Sequence, residues 1–107
     1  MILDCFVFFD TTSATQTSNT YYVLPTCESM ALSVTGTGTI SLEVQGRVDT
    51  ETDQWLPIVG GDVSIGAKAL KATVAGHVYS YSVSNFREIR IVSDNAVGTF
   101  KAFANFS

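Results

Sequence analysis

The chain has 107 residues, 46% hydrophobic and 15% charged, with ten acidic and six basic residues for a net charge of −4. That length suits one domain burying roughly two-thirds of its unfolded surface, and the apolar content excludes a disordered chain. The acidic balance speaks against a nucleic-acid surface, and the longest apolar run, Phe6–Phe9, is too short to span a bilayer.

Thirteen Thr and eleven Ser against two Pro favour strands and turns over helices. Ile2–Phe9 reads as a strand, with Cys5, Val7 and Phe9 on one face and Leu3, Phe6 and Phe8 mostly on the other. Apolar residues on both faces call for cover on both sides. The second cover is either the domain's own core or a neighbouring subunit, which makes Leu3, Phe6 and Phe8 the candidate interface. The segment has no basic start and no small-residue cleavage site, and Asp4 and Asp10 interrupt it, so no signal peptide is expected. Without an export signal, Cys5 and Cys27 are expected to be reduced, buried thiols.

Asp10–Thr20 is nearly all Thr, Ser, Asn and Gln and reads as an exposed loop or arm, mobile in the free protein and laid against a neighbour on assembly. Tyr21–Leu24 is a short strand stopped by Pro25. In Ser29–Thr35, Met30, Leu32 and Val34 point inward. Gly36-Thr37-Gly38 reads as a tight turn leading into Thr39–Val48, where Ile40, Leu42 and Val44 point inward and Gly46 marks a bulge. Together these form the strongest hairpin signal in the chain.

Asp49–Gln54 is a polar loop. Trp55–Val59 is an edge or bulged strand because of Pro57, and Gly60-Gly61-Asp62 reads as a turn. Val63–Gly76 is read as irregular strand in preference to a short helical turn. Tyr79, Tyr81 and Val83 share one face of the next strand. Ile89 and Ile91 share a face of the strand after it, and Phe100, Ala102, Ala104 and Phe106 do so in the last. About eight short strands with turn signals every 8–12 residues describe one all-β domain over residues 1–107, an antiparallel β-sandwich or jelly-roll-like fold.

From Ser29 onward the order of features resembles the small all-β structural proteins of tailed bacteriophages and prophages. The residues that carry the likeness are Trp55-Leu56-Pro57, Tyr79 to Val83, Phe86-Arg87-Glu88-Ile89-Arg90-Ile91 and the turn Asn95-Ala96-Val97-Gly98. The resemblance implies a virion component of the head-decoration, fibre-base or tail-adaptor type. Such a protein would be made in the bacterial host cytoplasm and bind copies of itself and the major capsid or tail proteins.

His77 is the sole histidine and lacks the Gly-x-Ser-x-Gly elbow of a hydrolase, so it reads as a turn residue after Gly76. Cys5, Cys27 and His77 have no zinc-ligand spacing. Asp49, Glu51 and Asp53 are a weak calcium candidate, since the loop lacks the glycine and distal Glu of an EF-hand, and it reads better as a solvated hairpin loop. No catalytic residue, cofactor, nucleic acid or membrane is implied, and the chain is not expected to be an enzyme. Two functions remain. The first is self-association and binding to other virion proteins. The alternative is a carbohydrate- or receptor-binding module of a phage fibre, in which Trp55, Tyr21 and Tyr22 stack on a host surface glycan.

Overall fold

A computed structural model describes residues 5–12, 16–48, 51, 54–93 and 97–107, with the backbone alone at 5, 10–12, 97 and 98. Among the described residues eleven strands follow one another: β1 (Cys5–Thr12), β2 (Gln16–Thr17), β3 (Tyr21–Tyr22), β4 (Ser29–Thr39), β5 (Leu42–Arg47), β6 (Leu56–Pro57), β7 (Gly60–Asp62), β8 (Ala67–Ala69), β9 (Val78–Ser82), β10 (Glu88–Ser93) and β11 (Val97–Phe106). The described residues contain no helix. One sheet has the order β1-β11-β4-β9-β7-β8, the other β2-β10-β5-β6, with β3 also paired to β10. All pairings are antiparallel. The all-β sandwich is thus present, with more strands than expected because several edges are two- or three-residue pieces.

Period-two alternation builds the core. Met30, Leu32 and Val34 of β4 are fully buried beside Ala102, Ala104 and Phe100 of β11 and Tyr79 and Tyr81 of β9. The second sheet contributes Leu42 and Val44 of β5 and Ile89 and Ile91 of β10, all 0% exposed. Burying each such side chain contributes about 1.5–3 kcal/mol.

The expected hairpin of β4 and β5 does not form. The two strands lie in different sheets, and the chain crosses between them at Ile40 and Ser41. Gly36 and Gly38 keep positive φ, 140° and 97°, yet β4 runs straight through them, paired with Phe100 and Gly98 of β11. The need at Gly36 is close approach: a Cβ there would stand 2.3 Å from the Thr99 carbonyl oxygen and 2.6 Å from Phe100 Cα. Gly46 is likewise no bulge. It stays in register with Ile89, and a Cβ would meet the Phe86 ring at 2.4 Å. Gly60-Gly61-Asp62 is strand β7 and not a turn; the turn comes after it, at 63–66. Beyond it, the irregular-strand reading of 63–76 fits β8 and the isolated bridge between Ala72 and Leu42.

The N-terminal strand needs two corrections. A register shift between Val7 and Phe9 leaves Phe8 as an extra residue opposite β11, a bulge. It turns Phe8 and Phe9 to the same side, 3% and 5% exposed, while Val7 faces out. The described residues of Asp10–Thr20 are not a free arm either, while 13–15 of that reading lie outside the described residues. Asp10–Thr12 continue β1, and Gln16 and Thr17 pair with Ser93 and Val92 of β10. Ser18 donates its N–H to the Ile91 carbonyl at 2.8 Å and accepts the Ile91 N–H on its hydroxyl at 2.8 Å. Its described residues thus pair with one sheet at 10–12 and with the other at 16–17.

Tyr79 is a core residue with a tethering role. Only 1% exposed, its hydroxyl accepts the N–H groups of Thr73 (3.3 Å) and Val74 (3.0 Å). Tyr79→Phe should therefore lower stability by about 1–2 kcal/mol and speed hydrogen exchange at the amides of 73 and 74 while sparing β4. Urea denaturation and amide exchange check this together; if neither changes, the loop is held by other contacts.

Candidate functional site

The outer face of the smaller sheet carries the most organised set of polar side chains. Register places them. Glu88 of β10 stands opposite Tyr22 of β3 on one side and Arg47 of β5 on the other. Gly46 pairs with Leu56, which brings Trp55 opposite Arg47. Facing residues of antiparallel strands project from the same side, so Tyr22, Glu88, Arg47 and Trp55 form one cross-strand row.

The middle of that row is a buried ion pair. Arg47 donates from Nε to Glu88 Oε2 at 2.7 Å and from a terminal nitrogen to the same oxygen. The side chains are 15% and 3% exposed, although they lie on the outward side of the sheet. In the next row Arg90 Nε donates to Gln45 Oε1 at 2.8 Å, and Gln45 Nε2 donates to Glu43 Oε1 at 2.6 Å. The Trp55 ring joins the rows, with the Arg47 guanidinium 4.7 Å and the Arg90 guanidinium 4.2 Å from its centroid. Cation–π attraction in a partly desolvated setting fixes the indole there. Trp55 is half-buried, and Tyr22 at the far end is 68% exposed.

Beside this face lies a groove of about 520 Å³ between Tyr22–Pro25, Val48 and the corner Ser84–Arg87. Its apolar rim is open: Leu24 is 59% and Val48 56% exposed.

The structure separates the residues proposed from sequence. Tyr21 is half-buried, with its ring engaged inside the chain. It stacks on Phe106 at 3.6 Å and 7°, and meets Phe6 edge-on at 5.1 Å. Burial, and then Cys27, to which its hydroxyl is hydrogen-bonded, hold the Tyr21 phenol above its ordinary pKa. The same cluster corrects the interface assignment. Phe6 packs edge-on against Phe8 at 4.8 Å, and Phe8 is only 3% exposed, so Tyr21 and Phe106 supply from within the chain the cover expected from a second subunit. Leu3 lies outside the described residues. So do Asp49 and Asp53 of the calcium candidate, while Glu51 is exposed. Cys27 is a free, buried thiol.

His77 has a partner that its sequence neighbourhood did not announce. Its Nδ1 lies 2.7 Å from Oδ2 of Asp62, a residue only 4% exposed. The other Asp62 oxygen accepts the Ser64 N–H at 3.0 Å, and the Ser64 hydroxyl accepts the Val78 N–H at 3.1 Å. The pair thus ties the β7–β8 turn to the start of β9, as an Asx-type turn does. Nearby, burial pushes the Tyr81 phenol well above its ordinary pKa, with Tyr79 and Asp62 adding to the effect.

No protein-family model matches the chain, and no curated protein matches it. Among solved structures, SPBc2 prophage-derived protein YomS is similar with a TM-score of 0.85 over 99% of this chain and 95% of that one, at 9% identity. PBSX exported protein XepA is similar with a TM-score of 0.85 over 98% of this chain, at 18% identity. The chain spans 37% of XepA. At these identities the likeness is one of fold, and both structural neighbours are prophage-derived proteins.

Proposed function

We propose that this chain is a structural component of a phage or prophage particle, working in the virion by binding copies of itself and capsid or tail proteins. The observation that carries the reading is the groove, whose apolar rim residues Tyr22, Leu24 and Val48 are each more than half exposed. Exposed apolar side chains rimmed by the polar Ser84, Asn85 and Arg87 suit a surface that is buried against protein on assembly. The fold, which it has in common with two prophage-derived proteins, supports the same setting. The association surface moves accordingly, from the Phe6 and Phe8 expected from sequence to the groove.

The test is sedimentation velocity over a range of protein concentrations, with Leu24→Asp as the variant. Leu24 is 59% exposed, so its replacement should leave the denaturation midpoint almost unchanged. Wild-type chain should self-associate, or bind purified capsid or tail protein, and the variant should do so at least tenfold more weakly, a loss of ~1.4 kcal/mol. A wild-type chain that stays monomeric and binds neither class of virion protein would overturn the proposal.

A further inference from the structure

We infer that the outer face of the smaller sheet is a binding platform for a neutral oligosaccharide, with Trp55 and Tyr22 as its two stacking surfaces. The inference goes beyond self-association, because it concerns a different kind of ligand; the two surfaces meet at Tyr22, and Trp55 belongs to this one alone.

Three observations carry it. The first is spacing. Tyr22 and Trp55 end a row that crosses four strands, so three inter-strand steps separate them, roughly 14 Å. That is the span of a short oligosaccharide, whose sugar rings present apolar C–H faces to an aromatic ring at each end. The second is what lies between. Glu43, Gln45 and Arg90 are already linked by hydrogen bonds of 2.6 and 2.8 Å, and Arg47 is locked to Glu88. Side chains fixed in this way lose little entropy on meeting a ligand. A guanidinium and a carboxamide each carry several donors or acceptors, and hydroxyl pairs of a sugar match them. The third is charge. Among the described residues of the face, two arginines and two glutamates cancel, which selects against a charged ligand. An apolar protein partner fits poorly as well, since covering the half-buried Glu43, Gln45 and Arg90 would strip water from polar groups without replacing its hydrogen bonds.

Trp55 is the sole tryptophan of the chain, so its fluorescence reads the site directly. The probes are tetrasaccharides of glucose and of N-acetylglucosamine, titrated at millimolar concentration into the full chain, with a uronic-acid tetrasaccharide as the charged comparison. At least one neutral probe should shift the Trp55 emission saturably. Tyr22→Ala is tolerated by the fold, because Tyr22 is 68% exposed, and should weaken binding about tenfold. Trp55→Phe should weaken it by a similar factor in titration calorimetry. Leu24→Asp should leave it unchanged, which keeps this test distinct from the self-association test. No saturable shift with any neutral probe overturns the proposal, as does tighter binding of the uronic-acid probe. An emission shift that depends on protein concentration alone would make the face a protein interface and overturn it too.

Discussion

Arg47→Ala is expected to destabilise the domain by about 3–5 kcal/mol, the usual cost of leaving one member of a buried ion pair alone. Glu88 is 3% exposed and accepts two hydrogen bonds from the Arg47 guanidinium. Without the guanidinium, its carboxylate stays out of water and loses the cation hydrogen-bonded to it. Trp55 loses one of its two cationic seats at the same time. Glu88→Ala should cost less, because the longer arginine can swing its head toward solvent while its stem stays packed. Replacing both, as Arg47→Met with Glu88→Leu, should recover most of the loss, since apolar side chains of similar volume need no charge compensation. Urea denaturation of the four proteins closes a double-mutant cycle. Single variants that each cost less than about 0.5 kcal/mol and add without coupling would place the pair with ordinary surface ion pairs.

The inward positions were legible from sequence because burial imposes a period of two that no distant contact alters. Met30, Leu32 and Val34, then Tyr79, Tyr81 and Val83, fall inside as the alternation requires. Pairing was less legible. A Gly-Thr-Gly between two alternating runs satisfies every local rule for a hairpin turn. The reason for Gly36, however, is a strand more than sixty residues further along the chain, whose Phe100 backbone passes over it. Gly46 and Gly60 repeat the lesson with the rings of Phe86 and Tyr81. Each glycine marks an aromatic or backbone neighbour that is distant in sequence, and only the topology names it. The N-terminal strand misled in another way. A single bulge at Phe8 turned Phe9 to the same side as Phe8, which alternation alone cannot foresee. At the candidate site, Trp55 and Tyr22 could be chosen as ring-bearing surface residues. Their alignment through Glu88 and Arg47 depends on three strand registers and was out of reach.

Gly36→Ala should cost about 3–5 kcal/mol, whereas Gly66→Ala should cost about 1–2 kcal/mol, although both glycines have positive φ. At Gly66, φ is 67° and a Cβ would meet nothing within 4 Å, so the cost is backbone conformation alone. At Gly36 the same kind of conformational strain adds to a collision with the Thr99 carbonyl and the Phe100 Cα, backbone atoms that no rotamer change removes. Gly46→Ala lies between them. Its collision is with the Phe86 ring and the end of Ile58, side-chain atoms that can give, and overpacking of that kind costs about 1–3 kcal/mol. The expected order of denaturation midpoints, from most to least stable, is therefore Gly66→Ala, Gly46→Ala, Gly36→Ala. Second-site changes sharpen the distinction. Phe86→Leu should relieve part of the Gly46→Ala defect by withdrawing the ring. Phe100→Ala should not relieve Gly36→Ala, because the clashing carbonyl, Cα and Cβ all remain. Equal losses at positions 36 and 66 would mean that β4 and β11 can separate to admit a methyl group, and that the close approach of the two strands is not what holds Gly36 in place.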